Sequence, residues 1–239
     1  MNQDLMKPIA VFCCLFISFS VLAQPVFDPV GADAWGTGGC SAASRNIFAV
    51  FNNPAAFSGE KKLSGGIYSE QLFHETKLTR SCLAMVFPMR FIHSAISIDH
   101  YGYSLFSQQK LGFSLSKKLV NNFSLGVTLG YFNTNISEQN PAGNFYGEFG
   151  VWYKPIRKIQ FGLYVFNPTQ NKYSSLSYDK MPTIARIGTT YEVSDKVDLL
   201  LETEQTLNQQ LFFRGGIKYR MNEIFSVSIG AANVPVIYT

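Results

Sequence analysis

The segment Phe123 to Tyr131, F-S-L-G-V-T-L-G-Y, narrows the folds open to this chain more than any other stretch. Phe123, Leu125, Val127, Leu129 and Tyr131 fall on one face of an extended strand; Ser124, Gly126, Thr128 and Gly130 fall on the other. Successive side chains of a strand point to opposite faces, so this alternation makes one apolar face and one small, polar face. A soluble barrel or sandwich turns the apolar face inward, whereas a membrane barrel turns it outward into lipid.

The same asymmetry recurs along the chain. Leu111, Phe113 and Leu115 oppose Gly112, Ser114 and Ser116; Ile159, Phe161, Leu163 and Val165 oppose Gln160, Gly162 and Tyr164. Strands are expected near 62–71, 79–88, 90–101, 104–117, 122–135, 143–155, 158–167, 182–193, 196–206, 209–220 and 223–233. Many are about ten residues long, the length that a tilted strand needs to cross a bilayer. The connections alternate. One class is tight and mostly basic, as at Pro88-Met89-Arg90, Lys117–Asn122, Pro155–Lys158, Val193–Lys196 and Arg220–Glu223. The other is more variable and includes long polar loops at Ser137–Asn144 and Asn167–Pro182. Short periplasmic turns against longer external loops mark an outer-membrane barrel.

Composition supports the outward orientation. Charged residues are 15% of the chain, against about 25% in an average soluble domain. The apolar faces lack charge, and Tyr68, Tyr131, Phe132, Tyr153, Tyr164, Phe166, Tyr191 and Tyr219 lie near strand ends, where an interfacial girdle is expected. The polar faces carry both signs: Asp99, Glu148, Arg186, Glu202, Arg214 and Lys218. These charges are expected to pair across the lumen. They would form either a structural network filling the barrel or a polar path for a ligand head group. A net charge of +4 without a basic cluster is too weak to suggest nucleic acid, and no nucleic-acid partner is expected.

Residues 1–23 read as a cleaved secretory signal, with Lys7 as its positive flank, Ile9–Leu22 as its apolar core and Val21-Leu22-Ala23 before Gln24 as its cleavage site. Cys13 and Cys14 leave with it. Asp4 is untidy in such a signal, and a membrane anchor is the alternative, although the apolar run is short for a spanning helix. Cys40 and Cys82 could pair in an oxidising compartment; the expectation is two free, buried thiols. Residues 24–60 then differ in character from the barrel, 61–239. Gly31–Gly39 is Gly-rich, Ser41–Phe51 has helical spacing of apolar residues, and Asn53-Pro54-Ala55-Ala56 ends it. The Gly-rich run lacks the Lys-Ser/Thr of a phosphate-binding loop and the G-x-G-x-x-G spacing. It is read as tight turns leading into a short plug helix.

About eleven strands is an odd number for a bacterial single-chain barrel, which has an even number. Unpaired strand edges in lipid cost several kcal/mol per polar group. Either the count is off by one or further C-terminal strands complete the barrel; the latter is the expectation.

The segment Gly36-x-Gly38-Gly39 … Ala49-Val50-Phe51-Asn52-Asn53-Pro54-Ala55 resembles the G-x-G-G … A-x-x-N-P-A pattern of FadL-like outer-membrane barrels. It looks closer to the branch of PorV- and PorQ-type proteins associated with type IX secretion. Weaker matches are Asp99-His100-Tyr101-Gly102, Phe166-Asn167-Pro168 and Arg186-Ile187-Gly188. The resemblance implies an all-β, antiparallel transmembrane barrel of fourteen strands with an N-terminal plug, in the outer membrane of a Gram-negative bacterium. It also implies that Gly36, Gly38, Gly39, Asn53 and Pro54 shape the plug. Partners would be outer-membrane lipid and either hydrophobic small molecules passing through or proteins of the secretion apparatus.

Two other classes are open to such a chain. A scaffold barrel without transport would have a packed, charge-paired interior, whereas transport calls for an apolar pocket under the plug. An outer-membrane lipid-modifying enzyme would need a nucleophile with a base. His93, Ser97 and Asp99 share one strand face, but residues 93 and 97 are about 13 Å apart along a strand. His74 lies near a loop and His100 faces the other way, so no catalytic site is expected. Three scattered His and two mature Cys show no metal-ligand spacing, so neither metal nor cofactor is expected.

Overall fold

The structure is a computed structural model and describes residues 25–72, 77–138, 140–173, 180–222 and 225–233. The signal segment, His74 and the last residues, 234–239, lie outside the described residues.

Eleven antiparallel strands follow one another in a single sheet, each paired with its sequence neighbours. They are β1 (Ser64–Gln71), β2 (Thr79–Pro88), β3 (His93–Tyr103), β4 (Phe106–Val120), β5 (Phe123–Ile136) and β6 (Ala142–Ile156). Then follow β7 (Ile159–Phe166), β8 (Ile184–Ser194), β9 (Val197–Thr206), β10 (Leu211–Arg220) and β11 (Ser226–Asn233). The turns at 121–122, 157–158 and 195–196 leave two residues each between strands at one end. The opposite end carries 137–141 and 167–183 as well as one tight turn at 104–105. Register breaks fall between Lys118 and Val120, Tyr153 and Ile156, and Glu192 and Ser194, all at the tight-turn end. Such bulges bend and twist a strand where pairing ends.

The alternation of the sequence becomes the two sides of the wall. On β5, Val127 and Leu129 are exposed outward while Ser124, Gly126, Thr128 and Gly130 are buried. Ile67, Phe145, Ile187 and Leu201 continue the exposed apolar surface round the sheet. Half of the expected aromatic girdle is elsewhere. Tyr131, Tyr153, Tyr191 and Tyr219 face out, but Phe132, Tyr164 and Phe166 are buried inside, and Tyr68 is half-buried with its hydroxyl donating to Glu70. Parity is the cause. Phe132 follows an outward Tyr131 and must point the other way.

The sheet curls around residues 25–60. Ile47 packs on Gly66 of β1, and Gly38 lies against the backbone of Ala231 in β11. This inner segment contains two short helices, α1 (Ala32–Gly36) and α2 (Ala49–Asn52), and 3-10 turns at Pro25–Phe27 and Ala56–Gly59. The helix expected over Ser41–Phe51 is therefore confined to its last turn, and a helix stands within the Gly-rich run instead. The reason lies in the hydrogen bonds. Asn53 Nδ2 donates to the carbonyl of Ala42 and the indole Nε1 of Trp152 to that of Ala43, so side chains take carbonyls that a helix would use internally, while the Ser41 and Ala42 amides donate to the Glu202 carboxylate.

Candidate functional site

The plug and its seat are built from reciprocal contacts. Two apolar clusters hold it. Val30, Ala49, Val50, Phe51 and Phe57 pack on Cys82, Ala84, Val86, Ala95 and Trp152 of the wall. Nearer the long-loop end, Val26 and Phe27 pack among Phe132, Tyr146, Tyr164, Phe166, Met181 and Ile184. The Phe27 ring centroid is 5.5 Å from that of Phe132 and 5.1 Å from that of Phe166. The Lys110 ammonium stands 5.0 Å from the Phe166 ring centroid, near enough for a cation–π attraction.

Irregular backbone inside a barrel must find partners for its polar groups. Asn52 provides one solution by exchanging two hydrogen bonds with Val30: its Nδ2 donates to the Val30 carbonyl and its Oδ1 accepts from the Val30 amide, both at 2.8 Å. Asn53 provides another. Its Nδ2 donates to the carbonyls of Ala42 (2.6 Å) and Val151 (3.0 Å), and its Oδ1 accepts from the amide of Ala55. Asn53 is fully buried and ties two segments of the plug to β6. Beside it Pro54 and Ala55 lie on Gly126, where a Cβ would come 2.2 Å from the Pro54 carbonyl carbon. At Gly162 a Cβ would come 1.9 Å from the Ala42 carbonyl oxygen. Inward glycines therefore let the plug main chain touch the wall main chain. Gly36 ends α1 beside Ser228, Gly38 (φ 73°) sits on Ala231, and Gly39 (φ 91°) lies under the Arg214 side chain.

The inward charges pair along the wall and not across the lumen, because the plug occupies the space between opposite walls. Arg80 makes a two-pronged pair with Asp99 (3.0 and 2.7 Å) and also reaches Glu70. Lys110 pairs with Glu148 at 3.6 Å, Arg186 with Glu204 at 2.5 Å, and Arg214 with both Glu202 (3.5 Å) and Glu204 (3.0 Å). Lys218 reaches inward to Asp33 of α1 at 2.6 Å. With their charges balanced by neighbours, these groups turn spare donors and acceptors to the plug. Arg80 donates to the carbonyls of Val26 and Asp28, Arg186 donates to that of Phe27, and Glu202 accepts from the amides of Ser41 and Ala42 at 2.8 and 2.7 Å.

Sequence reasoning missed Glu70, Arg80, Lys110 and Asn52. Parity held the signal for two of these. Arg80 is in phase with buried Cys82 and Ala84, and Lys110 with buried Gly112 and Ser114. Of the weighed nucleophile cluster, His93 is engaged elsewhere, its Nε2 lying 2.8 Å from the carbonyl of Glu60. Cys40 and Cys82 are both free and buried; burial pushes the Cys40 thiol up to about 12. Among the described residues no three His, Cys, Asp or Glu side chains form a group that could hold a metal.

The chain matches no protein-family model and no curated protein. Its shape is similar to solved structures of FadL type. The CymD monoaromatic hydrocarbon channel superposes with a TM-score of 0.65 at 12% identity, over 90% of this chain and 86% of that one. The Pseudomonas putida toluene transporter TodX gives 0.63 at 10% identity, over 86% and 83%. A Pseudomonas aeruginosa FadL homologue gives 0.59 at 12%, over 85% and 79%. At this identity the likeness establishes the fold.

Proposed function

We propose that the chain is an outer-membrane channel for hydrophobic small molecules, held shut by its own N-terminal plug. The observation that carries this reading is the seat of Phe27. An apolar, ring-lined site exists below the long-loop end, built from Phe132, Tyr146, Phe166, Met181 and Ile184, and the chain fills it with its own benzyl group. A ring of that size is the chemistry of toluene, the molecule carried by one of the similar structures. Passage requires the plug to leave its seat; water can replace the hydrogen bonds and ion pairs that hold it, and a hydrophobic solute can replace its apolar contacts.

The scaffold reading is favoured by one observation, the pairing of the inward charges around a filled lumen. The secretion-docking reading rests on the G-x-G-G and N-P-A resemblance of the sequence. Toluene flux separates channel from scaffold. Vesicles need an outer leaflet of lipopolysaccharide, since an ordinary bilayer passes toluene freely. Phe27→Ala should raise uptake above wild type by emptying the ring site. The Ser58→Cys/Ser124→Cys pair, whose hydroxyl oxygens lie 2.8 Å apart, should lower uptake when oxidised and restore it on reduction. Uptake equal to protein-free vesicles in every case would leave the scaffold.

A further inference from the structure

We infer that the tight-turn end of the barrel carries a binding site for a phosphate-bearing anion, centred on Arg45. The site does not depend on passage of hydrophobic molecules. A cavity of about 500 Å³ opens there between the end of the plug and the first residues of β3. Arg45, Lys61 and Lys118 line it together with His93, Ser58 and a single carboxylate, Glu60. Three cations against one acid is a local excess, in contrast to the other cations on the inner face of the wall. Arg80, Lys110, Arg186, Arg214 and Lys218 each have a carboxylate within 4 Å. Among the described residues, Arg45, Lys61 and Lys118 have none.

Arg45 is exposed to the cavity yet fixed in place. Its Nε donates to the carbonyl of Ala56 at 3.3 Å, and its guanidinium carbon lies 4.2 Å from the centroid of the Trp152 ring. Its Nη2 sits against Gly59, where a Cβ would come within 1.5 Å. The Nη donors are thereby held in one plane, the fork that matches two oxygens of a phosphate or carboxylate. Lys118 stands on the inner face of β4, in phase with buried Ser114 and Ser116, just before the register break. A volume of that order is typical of small-molecule sites and holds more than a bare ion. The same chemistry is offered by a soluble phosphate ester and by the head group of an anionic phospholipid in the adjoining leaflet.

The full mature protein in non-ionic detergent is titrated with inorganic phosphate at constant ionic strength, with chloride as control, following tryptophan fluorescence because Arg45 stacks on Trp152. The titration is repeated in nanodiscs of phosphatidylcholine with and without phosphatidylglycerol. A saturable response to phosphate in detergent assigns the site to soluble phosphates. A response confined to phosphatidylglycerol discs assigns it to a lipid head group. In either case Arg45→Gln should weaken binding by about tenfold or more, equivalent to at least about 1.4 kcal/mol. Lys118→Gln, an exposed side chain whose loss leaves the packing intact, should weaken it a few-fold, and Lys196→Gln at another turn should leave it unchanged. Absence of a saturable response to both ligands, reproduction of the response by chloride, or equal binding by wild type and both cavity variants would overturn the assignment.

Discussion

Glu202 ties the plug to the wall through two main-chain amides. Its carboxylate accepts from the Ser41 and Ala42 amides on one side and faces the Arg214 guanidinium on the other. Removing one member of a buried ion pair costs about 3–5 kcal/mol; Arg214 keeps Glu204 at 3.0 Å, so the loss falls on the Ser41 and Ala42 amides and the lower figure applies. Glu202→Ala should therefore unseat the plug more readily while the wall stays folded. The native thiols report it. Cys40 belongs to the plug and Cys82 lies under it, and both are 2% exposed. A thiol reagent should label the variant at least about a hundredfold faster than wild type, as about 3 kcal/mol requires. Equal rates would show that the carboxylate is not the anchor.

Asp28 supplies the pH dependence. Burial raises its carboxyl to about 7, against the pull of Arg80, Arg186 and Arg214 and with a push from Glu204. A seated plug then holds a proton that an unseated one releases at an ordinary value near 4. Seating is strongest below about pH 4, weakens as pH rises to about 7, and is level above that. Melting of the wild-type plug should fall in temperature between pH 5 and 8, and Asp28→Asn should flatten that slope. A slope retained in the variant assigns the effect to another group.

At the scale of elements, the wall was legible and the plug was not. Strand existence followed from alternation that Leu125, Val127 and Leu129 express residue by residue, and observed strand ends fall within about three residues of the expected ones. That pattern is local, fixed by the period of two. Ser41–Phe51 was misread because its apolar residues are buried by contacts with Trp152, Cys82 and Ala84, far away in sequence, and not by one face of a helix. The pairing of Arg186 with Glu204 and Arg214 with Glu202 depends on strand register, which parity alone leaves open. Glycines show the same limit. Their inward positions could be read from the sequence, but not which of them receive the plug. Gly162 of β7 meets the Ala42 carbonyl, whereas the inward Gly130 of β5 meets Tyr146 of the wall; Gly147 of β6 faces outward with Phe145 and Phe149 and has open space, its nearest neighbour being the Thr128 carbonyl oxygen at 3.9 Å. Gly162→Ala should displace the plug, seen as faster Cys40 labelling, with the folded wall still resisting detergent at room temperature. Gly147→Ala should change neither. If both substitutions are silent, the contact between plug and wall main chains is not what seats the plug.

At the scale of the whole molecule, the decisive fact is the sign of the outer surface. Leu129 is 65% exposed, Leu201 63% and Ile187 59%, while Trp152 and Tyr146 are each 2% exposed on the side where Glu148 and Arg186 are buried. In water such a surface would associate, since exposed apolar area is worth roughly 25 cal/mol per Å² when covered. In a bilayer that surface is covered by acyl chains and the arrangement is stable. The bilayer adds a dependence on depth that water cannot imitate. A charge at the midplane of a barrel's lipid face costs about 2–4 kcal/mol, and one near the interface about 0–1 kcal/mol. Leu129 lies midway along β5, whereas Val193 lies beside the tight turn that ends β8. Folding equilibria into lipid vesicles, measured against denaturant, should show Leu129→Arg less stable by that larger amount and Val193→Arg near wild type. Equal, small penalties at the two positions would mean that this face meets water, and the channel reading would fall with the lipid that it requires.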